Sequence, residues 1–132
     1  MGLKVTIDAA VSEEGVNIDL RGEDLGLLIG KHGQTLDALQ YLTNLASQRE
    51  GCERIRIMID VEDYRKRRAD TLEQLALRLA DRVKKSGDRV VLEPMTPHER
   101  KIIHMSLQNE SGVETYSEGL EPFRRVVIVA RR

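Results

Sequence analysis

The sequence predicts an α+β fold made of two small α/β-sandwich units, and three observations predict it. Apolar and polar residues alternate with a period of two in three early segments. At position 64 the apolar period lengthens to that of a helix, and alternation then returns in three short segments. The predicted order is strand, strand, helix, tight turn, helix, strand over residues 1–62, then helix, strand, helix, strand, strand over residues 63–132. A chain of 132 residues suits one ordinary domain or two very small ones. With 40% hydrophobic and 33% charged residues it can bury a modest core, and it is not composed like a disordered chain.

Residues 4–10 (KVTIDAA) and 16–20 (VNIDL) alternate around the turn material Glu13-Glu14-Gly15, which predicts an antiparallel hairpin. Residues 25–29 (LGLLI) then lead into Gly30-Lys31-His32-Gly33, and residues 35–46 are patterned as a helix. Residues 54–61 (RIRIMIDV) alternate strictly, placing Ile55, Ile57, Ile59 and Val61 on one face of a half-buried strand. Beyond Tyr64, Leu72, Leu75, Ala76, Leu79, Ala80 and Val83 form the apolar stripe of a helix packed on a core, and Gly87 stops it. Residues 89–93 (RVVLE) read as a short strand. Thr96-Pro97-His98-Glu99 is a complete helix start: a Thr cap, Pro at the first helical position and Glu three residues after the cap. That helix runs to about Gln108. Residues 112–116 and 124–130 are two more strands, joined through Gly119 and Pro122. The boundary falls near Asp63, ahead of the Arg65-Lys66-Arg67-Arg68 cluster. No Gly/Ser-rich linker intervenes, so the long helix is expected to grow from the third strand and couple the units rigidly or semi-rigidly.

No apolar run approaches the roughly 20 residues of a membrane span, and no apolar signal segment opens the chain, so a cytoplasmic protein without membrane contact is expected. The single cysteine, Cys52, rules out an intramolecular disulfide and a Cys-rich zinc site. His32, His98 and His104 show no metal-binding spacing, so neither metal nor cofactor is expected. The net charge of −1 hides an asymmetry: residues 1–62 carry 6 Lys/Arg against 11 Asp/Glu, and residues 63–132 carry 15 against 11. The second half therefore suits a polyanion, although a solvated basic helix face would look the same.

Two glycines three apart allow a sharp turn and a close backbone approach, because neither carries a Cβ. In Leu28-Ile29-Gly30-Lys31-His32-Gly33-Gln34-Thr35-Leu36 the turn also sets the N–H groups of a helix N-terminus beside Lys31 and His32, an arrangement suited to a phosphodiester strand. A lone GxxG is usually just a turn. With apolar residues on both sides and strands around it, this one resembles the KH domain, whose loop clamps about four nucleotides of a single strand. The element order resembles the type II arrangement with its first helix missing, so either the start is trimmed or a neighbour covers an exposed sheet face. Aromatic residues are only 3%, and Tyr41, Tyr64, Tyr116 and Phe123 alone could stack on bases, which argues against a ring-on-base platform. Leu27, Leu28, Ile29 and Leu36 are the aliphatic candidates for base contact, or else plain core.

Arg100 and His104 stand one turn apart in the Thr96-capped helix, with Lys101 beside them. A guanidinium and an imidazole on one face can share a phosphate, the first permanently charged and the second pH-dependent, though an exposed pair of this kind is usually surface decoration. Residues 92–104 (LEPMTPHERKIIH) and 117–128 (SEGLEPFRRVVI) resemble the single-stranded nucleic-acid-binding domain named for an Arg and a His three residues apart. On the long helix Arg67, Arg78, Arg82 and Lys85 fall along one flank, and Arg124, Arg125, Arg131 and Arg132 add charge near the end.

A KH module over residues 1–62 followed by an Arg-x3-His module over residues 63–132 resembles the bacterial Jag family, also called SpoIIIJ-associated proteins, KhpB or EloR. The resemblance covers essentially the whole chain, and family members usually carry a further N-terminal domain and linker. It implies a cytoplasmic, non-catalytic protein that binds single-stranded RNA, with single-stranded DNA as the alternative strand. It also implies an RNA chaperone or post-transcriptional regulator with a small KH-only partner, linked to cell elongation and peptidoglycan homeostasis. The implied contacts are Gly30, Lys31, His32, Gly33, Arg100, Lys101 and His104, joined by the basic flank and by Arg124 and Arg125. Two rivals stand beside this. A protein-interaction module, a homodimer included, would pair through Ala38, Leu42 and Leu45 of the KH helix. A nuclease using His104 with Arg100 would lack both a nucleophile and a carboxylate pair for metal.

Overall fold

Strand alternation and a two-residue connection build the first sheet. β1 (Thr6–Ser12) and β2 (Gly15–Arg21) pair antiparallel from Thr6↔Arg21 to Ser12↔Gly15. β3 (Ile57–Val61) adds parallel to β2, giving the order β1-β2-β3. A parallel pair needs a crossover, and here it is α1 (Gly26–Ile29), a single 3-10 turn (Lys31–Gly33) and α2 (Gln34–Arg49). In this computed structural model the structure describes residues 2–51 and 55–131. Cys52, Arg54 and Arg132, which figure in the sequence reading, lie outside them.

The pairing puts Val16, Ile18 and Leu20 on the same face as Ile57, Ile59 and Val61. Against that face Leu25, Leu28 and Leu36 are buried, with Leu39 and Tyr64 packed beside them. Ile7 and Val11 belong to the same face through their partners Leu20 and Val16, yet both stay exposed. The expected alternation of residues 54–61 is realised only from Ile57. Ile55 precedes the strand and is exposed, because pairing with β2 starts at Val16↔Ile57. The outer edge of β3 is closed by a side chain: Gln40 Nε2 donates to the Ile57 carbonyl at 2.6 Å, and its Oε1 accepts from the Ile59 N–H at 2.7 Å. The primary amide mimics a neighbouring strand and fixes α2, and with it the start of that helix, over the sheet.

α3 (Tyr64–Ser86) begins three residues after β3 ends, as the missing linker predicts, and Asp60 Oδ1 accepts from the Arg65 N–H at 3.2 Å near its start. The chain forms two compact units, Met1–Arg68 and Ala69–Arg132. In the second, Leu72, Ala76, Ala80 and Val83 of α3 are fully buried, and Leu75 and Leu79 pack beside them. Gly87 closes the helix, its N–H donating to the Val83 carbonyl at 2.8 Å. α4 (Pro97–Leu107) starts as its sequence predicts, with Thr96 Oγ1 accepting from the Glu99 N–H at 3.3 Å. β4 (Val90–Val91), β5 (Val113–Glu118) and β6 (Arg125–Ala130) form an antiparallel sheet in the order β4-β6-β5. Its inner face supplies Val113, Val126 and Ile128 to a core shared with Ile103 and Leu107 of α4.

Candidate nucleic-acid interface

The turn between α1 and α2 needs both of its glycines. Gly30 takes φ 71° and Gly33 φ 82°, the left-handed side of the map that a Cβ disfavours. A Cβ on Gly30 would stand 2.3 Å from Thr35 Oγ1, and one on Gly33 would stand 2.7 Å from Tyr64 Cε1. Between them Lys31 and His32 are exposed, His32 itself at φ 54°. α2 starts directly after Gly33, with no side chain capping its first amides, so its positive end faces the turn. Tyr64, which the motif reading missed, walls the turn behind Gly33. The Arg67 guanidinium lies over its ring, 5.8 Å from the centroid, and donates from Nε to the Glu62 carbonyl. Of the four aliphatic candidates, Leu27 is exposed and Ile29 partly so, whereas Leu28 and Leu36 take the core alternative.

In the second unit Arg100 and His104 share one face of α4, as their spacing requires, but that face looks inward. Arg100 is only 7% exposed. Its Nη2 donates to Glu121 Oε1, and its buried Nη1 has no hydrogen-bond partner among the described residues. His104 lies between two hydroxyls spaced two apart on β5: Nδ1 is 2.7 Å from Thr115 Oγ1 and Nε2 is 3.0 Å from Ser117 Oγ. Its pKa is held below the usual histidine value, first by burial and then by the Arg100 charge. The expected pair of free side chains sharing a phosphate is therefore not what the fold presents, because both groups are engaged internally. Arg124 is engaged too, donating to the Gly119 carbonyl at 2.7 Å and the Ser117 carbonyl at 3.2 Å. Ser117 and Glu121 carried no sequence signal beyond lying inside the segment 117–128, and Thr115 lies outside it.

Lys101 is exposed. Arg78, Arg82 and Lys85 are exposed together and line one groove along α3 with Asp81 and Ser86. Arg67 belongs to the first unit, beside Tyr64. Arg125 projects from β6 half-buried, and Arg131 pairs with Glu114 at 3.0 Å. No helix of the described residues is long and apolar enough to cross a membrane.

Comparison with known proteins matches both halves. Residues 1–59 match the KH domain of KhpA/KhpB, and residues 70–130 match the R-three-H domain. The protein is thus a paired KH and R-three-H protein. Over all 132 residues it is 47% identical to the RNA-binding protein KhpB of Clostridium symbiosum, covering 100% of this chain and 60% of that protein. It is 42% identical to the RNA-binding protein KhpB of Bacillus subtilis, with 98% of this chain and 63% of that one covered. The protein of the same name from Lactiplantibacillus plantarum is 39% identical, with 100% and 41% covered. The chain belongs to the KhpB family, the bacterial Jag proteins, as the two motifs and their order imply. It spans between 41% and 63% of the length of these relatives.

Proposed function

We propose that the chain binds single-stranded RNA without chemical turnover and acts in the cytoplasm as an RNA chaperone or post-transcriptional regulator. The observation that carries the reading is the turn at residues 30–33: two obligatory glycines, an exposed Lys31 and His32, and an uncapped helix N-terminus beside them. A phosphodiester strand laid there meets the positive end of α2 and the Lys31 charge at once, the amides of Gly30, Gly33 and Gln34 being bonded already to the Gly26, Gly30 and Lys31 carbonyls. The relatives' names support the same ligand. Lys101, Arg78, Arg82 and Lys85 supply further phosphate contacts, and the buried Arg100 and half-buried His104 shape the second unit. The family's link to cell elongation and peptidoglycan homeostasis is the cellular role we assign to it.

The test is a double substitution, Lys31→Asp with His32→Asp. It is expected to remove most RNA affinity while the thermal melt stays that of the parent, and parent-like affinity overturns the reading. Labelled RNA incubated with the protein and divalent metal is expected to remain intact.

A second reading is favoured by the exposed apolar face of α2, where Ala38, Tyr41, Leu42 and Leu45 are all exposed. This face would pair with a small KH-only protein or with a second copy of the chain, and it is compatible with RNA at the turn. Light scattering of the isolated chain separates the two versions: a monomer at high concentration leaves the heterologous partner.

A further inference from the structure

The outer face of the second sheet, turned away from the core, carries an apolar and aromatic row between the charged positions Glu114, Glu118 and Arg125. Val127 pairs with both Val91 and Tyr116, so strand alternation sets these three in one row across that face. Val127 is fully buried, but Val91 and Tyr116 are 39% and 41% exposed. The loop between β5 and β6 adds Leu120 and Phe123, 84% and 68% exposed. A groove of about 510 Å³ runs here, with Val91, Leu120 and Phe123 beside Arg89 and Arg125. Glu118 also lines it and lies 3.8 Å from Arg89, whereas Arg125 has no ion pair among the described residues.

This loop is held from within. Arg100 bonds Glu121, and Arg124 bonds the carbonyls of Gly119 and Ser117. Phe123 and Leu120 are therefore displayed by a tethered loop, and a surface ordered beforehand binds with less entropy lost.

We propose that this face takes an unpaired base of single-stranded RNA, stacked on Phe123 and the neighbouring apolar surface, with Arg125 on the adjoining phosphate. The proposal rests on the RNA-binding reading and adds to it a second contact, on a different unit from the turn at 30–33. Every base has a flat face that an aromatic ring accepts, and a guanidinium matches phosphate oxygens with its forked donors. The basic rim favours an anionic occupant over a basic or purely apolar peptide, and the exposed ring of Phe123 offers the flat face that a base stacks on.

The test titrates the whole chain against a short mixed-sequence single-stranded RNA and against an abasic ribose–phosphate oligomer of equal length. Phe123→Ala is expected to weaken RNA binding about ten-fold and to leave binding of the abasic oligomer unchanged, while Phe123→Tyr keeps the parent affinity. Arg125→Gln is expected to weaken both oligomers. Parent-like RNA affinity in Phe123→Ala, with an unchanged melt, overturns the proposal and leaves the face to a protein partner. Failure of the parent chain to bind either oligomer overturns the RNA reading itself, and this proposal with it.

Discussion

The imidazole of His104 sits between two β5 hydroxyls and beside a buried guanidinium, and both its burial and that charge disfavour protonation. The unfolded chain takes up a proton near pH 6.5 that the folded chain resists. Stability is therefore fully present above about 6.5 and is lost as pH falls below it toward the lowered folded value. Thermal melts between about pH 7 and about pH 5 are expected to show a falling midpoint, with a shallower fall in His104→Gln. At position 33 the constraint is steric: a Cβ there would be strained by φ 82° and would press on Tyr64. Gly33→Ala is expected to destabilise the first unit by about 1–3 kcal/mol, measured by denaturant unfolding. The sequence shows the two glycines but not the ring that makes the second one obligatory.

At the scale of elements, strand and helix identities were legible because their signals are local. The Thr96 cap, the Gly87 stop and the stripe of Leu72, Ala76, Ala80 and Val83 all lie where the pattern places them. The start of β3 was not legible, because Ile55 continues the alternation past the point where a partner strand exists. Gln40 gave no signal either, although it bonds two backbone groups of the open edge of β3. Gln40→Ala leaves those groups to water and loosens α2, and is expected to cost about 1–3 kcal/mol. Hydrogen exchange at the Ile59 amide is expected to report it directly, with faster exchange in the variant.

For the whole molecule, charge decides how binding responds to salt. Each phosphate neutralised releases counterions, so the logarithm of the affinity falls linearly with the logarithm of salt concentration. Arg78→Gln with Arg82→Gln is expected to lower that slope by about 1.4 and to weaken binding evenly across RNA sequences. A slope unchanged from the parent would return these side chains to the role of a solvated helix face. The net charge of −1 conceals this entirely. So does an aromatic content of 3%, since the fold brings Tyr116 and Phe123 to one side of a single sheet.

The order of strands and helices, the helix stops and the glycine turn were determined by sequence alone, since hydrophobic period and turn chemistry act over a few neighbouring residues. Only the tertiary structure decided which face of α4 is taken. Arg100 meets Glu121 from 21 positions away, and His104 meets Thr115 from 11. An i, i+4 spacing guarantees a shared face, but whether that face meets solvent or protein depends on strands and loops distant in the chain.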